Sequence, residues 1–358
     1  MNFSTTDAAN STKTKFLTDS EEIAYNVLRK GTVLAIIFLG SITNSLVLVV
    51  LARTRIGCIT TKIILLFLAI SDFLALLLEL FLSLIPNYWQ LFPIYYDGTC
   101  GIAGTFRMAI LTSSTWYLTL VTTERFIAVR FPLKARSICT KKKAIIVCCC
   151  IPVVSFVLYL YFINSLEPVR DNTDGYIFIC APLDTLDSQL FKLNNQIWIT
   201  AYFFLPSIAI VTLNALIVWT LKQARKATDL PEGNISGSPQ FVANKWKAHR
   251  KATNTVMIAS IAFVVLMIPR GILTTLFMDV EMVYDSPAEL FADIVALNLQ
   301  LLNHAINFFI YILANDRFRT EFCKIFLCSG RCCSKSSVGD SQELNNTCTS
   351  HLTGKTED

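Results

Sequence analysis

Asp72 stands in the middle of an apolar run, LLFLAISDFLALLLEL over 65–80. In lipid a bare carboxylate there would cost about 3 kcal/mol, so it needs partners or a job. Other polar residues sit in similarly apolar surroundings: Asn44, Ser114, Asn303, Asn307 and Tyr311. Asn303, Asn307 and Tyr311 recur every fourth residue and therefore share one helical face. An acid among hydroxyl and amide oxygens suits a small hard cation, or a hydrogen-bonded network that holds water and sets helix register. Both readings stay open at this point. A second set of charges lies in the stretch Cys100 to Leu133, with Arg107 near its start and Glu124-Arg125 near its end. Arg107, Leu111, Ser114, Leu118 and Arg125 fall at helical spacing, which predicts one inward face of one long helix. Glu79, two turns beyond Asp72, and Arg270 add charges at the same end as Arg107.

None of this makes an enzyme. The chain has no Gly-x-Ser-x-Gly and no HExxH. Its histidines, His249, His304 and His351, are scattered without a CxxC pair, which argues against zinc. No cofactor is expected beyond the small cation that the acid would suit.

The elements that must position these residues are membrane spans. Of 358 residues, 53% are hydrophobic and only 16% charged, too apolar for an ordinary soluble domain. Seven charge-poor runs, about 31–52, 62–86, 101–123, 144–164, 195–221, 252–278 and 288–314, each reach spanning length. The predicted fold is an all-α membrane protein, a seven-transmembrane helix bundle over 31–314. A polar tail covers 1–30 and lacks the apolar core of a cleavable signal. An amphipathic surface helix is expected over 315–328, lying on membrane lipid, and a disordered cytoplasmic tail over 329–358. The net charge of +5 comes from Lys and Arg clustered beside the spans, a topology signal rather than a nucleic-acid surface. Those basic loops predict a cytoplasmic side and an extracellular amino terminus, with the carboxyl terminus inside. Sequons at Asn2 and Asn10 are then open to glycosylation.

Topology also sorts the 12 cysteines. Only Cys100 and Cys180 fall on the extracellular side, which predicts one disulfide tying the third helix to the loop after the fourth. Cys328, Cys332 and Cys333 follow the surface helix beside basic residues and are candidates for palmitoylation. Cys148 to Cys150 read as small packing residues inside a span.

Taken in order, Gly40 to Asn44, Leu68-Ala69-Ile70-Ser71-Asp72, Cys100, Glu124-Arg125-Phe126, Pro132-Leu133, Pro206, Phe263 with Pro269, and Asn307-Phe308-Phe309-Ile310-Tyr311 form a spaced pattern over all seven runs. In that pattern the chain resembles the rhodopsin-like (class A) G-protein-coupled receptors, and among them neuropeptide receptors for FMRFamide-like and other amidated peptides. The resemblance implies a plasma-membrane receptor with an extracellular peptide ligand and a heterotrimeric G protein as partners. It makes Glu124, Arg125, Phe126, Leu133, Asn307 and Tyr311 the coupling and switch residues, with Arg125 restrained by Glu124 at rest. It makes Asp72, Ser114, Asn303 and Asn307 a sodium site. Glu79, Arg107 and Arg270 would line the ligand cavity, where either arginine takes a terminal carboxylate or amide carbonyl; equally, Glu79 pairs with Arg107 inside the protein.

The chain departs from the family pattern in places. Met267 replaces the usual tryptophan of the sixth span, and the fourth span lacks one. Phe308 replaces the proline of the seventh, which predicts a weaker kink. Asn214 stands for a tyrosine, and His249 for an acid, which argues against an ionic lock between the third and sixth helices. Nothing in the seventh run offers a lysine for retinal. The rival class is a secondary transporter or channel, but no paired, broken repeats are visible.

Overall fold

A computed structural model describes residues 17–53, 58–85, 99–171, 177–182, 188–228, 239–276 and 286–326. Asn2, Asn10, Cys328, Cys332 and Cys333 lie outside the described residues.

The first helix, Asp19–Arg53, opens on a capping box in which Thr18 and Glu21 satisfy each other's free backbone N–H groups. The second is Ile59–Leu84 and the third Thr99–Arg130. The fourth, Lys141–Leu158, tightens into a 3-10 turn over Leu160–Asn164. The fifth runs from Ser188 to Thr228 and the sixth is Pro239–Leu276. The seventh is a bent pair, Pro287–Ala305 and Asn307–Ala314, and Asp316–Phe326 comes after it. The sixth helix starts well before the expected 252, because a helix that leaves the bilayer need not stop at its surface. In lipid such runs have no other way to satisfy their backbone.

The third helix passes through the middle, packed on the second, fourth, fifth and sixth, while the first closes the ring between the second and the seventh. Leu111, Ser114, Leu118 and Arg125 are buried, so the predicted inward face of the third helix is the real one. Outward-facing Ile42, Val153, Val154, Ile208 and Val265 are each more than half exposed, an apolar girdle that only lipid would cover without penalty. Cys148 is buried, whereas Cys149 and Cys150 face outward, so only the first packs in the core as expected. One element was not anticipated: the loop after the fourth helix holds an antiparallel hairpin, Leu166–Asp171 with Ile177–Pro182, and Cys180 opposes Pro168 in it.

The weaker kink expected of the seventh helix is not what the structure has. Its halves meet at 50° with no proline between them. The cause lies in the first helix. Asn44 Nδ2 donates to the His304 carbonyl at 2.8 Å and Thr43 Oγ1 to that of Ala305 at 3.3 Å. Donors from outside thus satisfy two carbonyls of the last turn, and the ladder can open at Ile306. They reach because Gly40 has no side chain: a Cβ there would stand 2.5 Å from Leu76 and 2.8 Å from Ala305. Phe308 also gains a use, packing on Phe318 and Phe322 of the surface helix with ring centroids at 6.2 and 5.4 Å.

Gly40→Val should therefore push the first helix off the seventh and strip both carbonyls of their donors. The expected loss is about 2–3 kcal/mol, read as a lower melting temperature of the detergent-solubilised protein. A melting temperature within about 1 °C of the parent's would show that the close approach is not needed.

Candidate functional site

Three wide, π-helical turns lie at Val27–Thr32, Leu80–Leu84 and Thr200–Phe204, in the first, second and fifth helices. Such turns rotate the remainder of their helix about its axis and recur at functional positions. That of the fifth helix has a visible cause: Pro206 has no N–H for the Tyr202 carbonyl, and the neighbouring Ala201 carbonyl takes the Trp116 indole N–H at 3.1 Å. The turns supply Arg29, Ser83 and Tyr202.

At this end Glu79, 2% exposed, accepts from Arg107 at 2.6 Å and from Arg29 at 3.5 Å, and Arg29 also donates to Ser83 at 3.0 Å. Of the two readings open for Glu79, the internal pair is the observed one. Sequence reasoning missed Arg29, which sits in the polar lead-in to the first span. Arg107 keeps 33% of its side chain exposed. Arg270 is also paired, with Asp293 of the seventh helix, another partner the sequence did not reveal. One carboxylate between two guanidinium groups leaves a net positive charge beside Arg107, favourable to an acceptor from outside.

Deeper, Tyr202 stacks on Trp198 with ring centroids 5.6 Å apart. Its hydroxyl accepts from Gln300 Nε2 at 2.9 Å and lies 3.8 Å from the Met267 sulfur. Where the family has a tryptophan on the sixth helix, this chain has a fully buried methionine read by a tyrosine of the fifth. Gly271 lets the helices meet here, since a Cβ in its place would collide with the Phe203 ring.

In mid-bundle Asp72 is 1% exposed and fully engaged. Ser114 Oγ donates to Oδ1 at 2.5 Å and Asn307 Nδ2 to Oδ2 at 2.7 Å. His304 Nδ1 lies 2.8 Å from Oδ1, and beside a carboxylate it must be the N–H donor. The expected fourth member, Asn303, makes no bond to Asp72 among the described residues; it is one residue, or about 100°, round the helix from the histidine. His304 was passed over in the sequence because its neighbour completed the every-fourth-residue pattern.

At the far end of the third helix, Glu124 accepts from Thr60 and Thr61 at 2.7–2.8 Å and lies 3.5 Å from Arg125. Arg125 donates to the Thr61 hydroxyl, and its Nε has no partner. Among the described contacts of Arg125 none reaches the sixth helix. The third and sixth helices meet there through a hydroxyl pair, Thr122 and Ser260 at 3.1 Å, and Thr255 donates to the Ala314 carbonyl of the seventh at 3.1 Å. Tyr311 packs on Phe318 at 5.6 Å, and Phe126 on Phe131 edge to face. In the short helix Pro132–Ile138 just beyond, Leu133 is 92% exposed. Burial pushes the nearby Cys139 thiol above its usual range, so it is no ready thiolate.

Cys100 is buried and disulfide-bonded, and the strand carrying Cys180 packs on the third helix.

Comparison with known proteins places this geometry. The pattern described as 7 transmembrane receptor (rhodopsin family) matches residues 43–311. The chain is 25% identical over 304 residues to cysteinyl leukotriene receptor 2 of Mus musculus, a match covering 82% of this chain and 89% of that one. It is 23% identical over 308 residues to galanin receptor 2b of Danio rerio, covering 83% and 75%. To the allatostatin-A receptor of Bombyx mori it is 24% identical over 301 residues, covering 81% and 76%.

The Glu79 cluster makes its own prediction. Glu79→Ala leaves two guanidinium groups facing each other without a counter-ion and should cost about 3–5 kcal/mol, seen as lost surface expression. Replacing the closer pair, Glu79→Gln with Arg107→Gln, leaves only Arg29, which also bonds Ser83, and should restore part of the expression. If the single change is harmless, the cluster does not hold these helices.

Proposed function

We propose, for a chain that belongs to the rhodopsin family of seven-transmembrane receptors, that its ligand is an extracellular peptide and that the ligand's signal leaves through Arg125. As a member of that family it is a multi-pass G-protein-coupled receptor of the plasma membrane. The amino terminus, with Asn2 and Asn10 glycosylated, lies outside, and the carboxyl terminus, with Cys328, Cys332 and Cys333 palmitoylated, lies inside. Cys180 is the partner of Cys100. The relatives named for galanin and allatostatin support a peptide. Arg107 supports it too, since a guanidinium on a one-third exposed side chain suits a terminal carboxylate or an amide carbonyl.

One observation carries the coupling role. Glu124 and Arg125 are held by Thr60 and Thr61 while Leu133, in the short helix that follows the third, stays in the open. An exposed leucine in the helix next after a charged, closed site supports a docking partner that enters when the site opens. Glu124, Arg125, Phe126, Leu133, Asn307 and Tyr311 are then the residues that the G protein reads or that move to admit it.

A second ligand class, an acidic lipid, has one observation in its favour: the excess positive charge around Glu79 would suit it as well as a peptide carboxylate. A peptide library and a panel of acidic lipids, read by calcium and cyclic AMP in parallel, separate the two. Arg125→Ala should abolish both readouts at normal surface expression. Thr60→Ala with Thr61→Val removes the bonds that hold the resting clamp and should raise basal signalling about tenfold; unchanged basal signalling would refute the clamp. For the ligand, Arg107→Ala alone confuses lost binding with an orphaned Glu79. In the expressed Glu79→Gln, Arg107→Gln receptor, peptide potency should fall about 100-fold; full potency would make Arg107 purely structural.

A further inference from the structure

We infer that Asp72 in this receptor takes no sodium ion, because His304 puts an N–H from the chain itself where the cation would have to sit. The inference is independent of the ligand's identity. A small hard cation needs several oxygen lone pairs turned toward one point. Around Asp72 the opposite holds: Ser114, His304 and Asn307 all turn donors toward the carboxylate. His304 Nδ1 lies 2.8 Å from Asp72 Oδ1 and 3.4 Å from Ser114 Oγ, so it stands against both of the oxygens that a bridging cation would have to share. An N–H there presents a positive end to any arriving cation. Asn303, whose oxygen would complete the ion's shell, has no bond to Asp72 among the described residues.

Space argues the same way. His304 is 0% exposed and Asp72 1%, so the ring has no open volume beside it to move into. The imidazole cannot step aside cheaply either. Its Nε2 has no partner, so the Asp72 and Ser114 side supplies the ring's hydrogen bonds, and swinging it out would break them with nothing gained in return. The neighbouring backbone is fixed as well, since the His304 carbonyl is held by Asn44 from the first helix. The donor set therefore does not fit the ion that the family resemblance implies. An N–H belonging to the chain replaces an exchangeable ion, and the tie between the second, third and seventh helices does not depend on salt composition.

The test compares melting temperatures of the purified receptor in sodium chloride and in choline chloride at equal ionic strength. The wild-type receptor should melt within about 1 °C in the two salts. His304→Ser, which returns an oxygen to that place, should gain about 4 °C in sodium, and adding Asp72→Asn should remove the gain. A sodium-specific stabilisation of the wild type that Asp72→Asn abolishes would overturn the inference. So would a folded His304→Ser that ignores sodium, since the ring would not then be what keeps the ion out. Should His304→Ser fail to fold, the wild-type comparison decides alone.

Discussion

A carboxylate buried at 1% exposure among apolar helices constrains everything near it. It must be given donors, and the only groups that can give them come from other helices. Asp72 takes one each from the third helix, Ser114, and from both halves of the seventh, His304 and Asn307. Its two seventh-helix donors flank Ile306, so the carboxylate spans the bend and fixes both halves relative to the second helix. The bend itself needs the carbonyls of His304 and Ala305 to be satisfied from outside, which Asn44 and Thr43 do. Those donors in turn need Gly40 to let the first helix approach. The chain of dependence runs from one glycine, through two carbonyls, to one acid, and four helices are positioned by it.

Much of this was legible in the sequence, and the reason is the solvent. Lipid forbids unpaired backbone and isolated charge, so spans show as long uncharged runs and the exceptions within them mark sites. Asp72, Ser114, Asn307, Glu79, Arg107, Glu124 and Arg125 were found that way. The partners were harder. Arg29 lies in the polar lead-in to the first span, where a charge is unremarkable, and Asp293 is a single acid near the start of the seventh run; only the packed structure shows that each faces a charge on another helix. His304 was hidden by a periodicity that Asn303 satisfied equally well. The 50° bend could not be read from the seventh helix at all, because its cause is on the first. Phe308 is the instructive case: read locally it is a missing proline, and in three dimensions it is the aromatic seat of the surface helix.

The two ends of the third helix differ in how firmly they are held. About five turns separate Arg107 from Arg125, so neither can feel the other directly. Between them, hydroxyls tie this helix to its neighbours: Thr112 to Tyr159 at 2.8 Å, Ser114 to Asp72, and Thr122 to Ser260. Each neutral bond of this kind is worth about 1 kcal/mol net, while bonds to a charge are worth roughly two to three times that. At its Arg125 end the sixth helix makes neutral bonds of this kind, between Ser260 and Thr122 and from Thr255 to the Ala314 carbonyl. The charged bonds described there are between the second and third helices, at Thr60, Thr61, Glu124 and Arg125.

That distribution decides where the resting state is stored. In a bundle with an ion pair between the third and sixth helices, moving the sixth outward and freeing the arginine would be one event. Here they are separable: among the described contacts Arg125 bonds Thr61 and lies against Glu124, and none of them reaches the sixth helix, so a movement of that helix does not by itself free the arginine. Thr61 accepts from Arg125 while donating to Glu124, so one hydroxyl carries both halves of the clamp. Its helix is the one that Asp72 fixes to the third and seventh. The second helix carries Glu79, Asp72 and Thr61 in turn, so it offers one continuous route from Arg107 to Arg125, and Asp72, between the other two, ties that route to the third helix through Ser114.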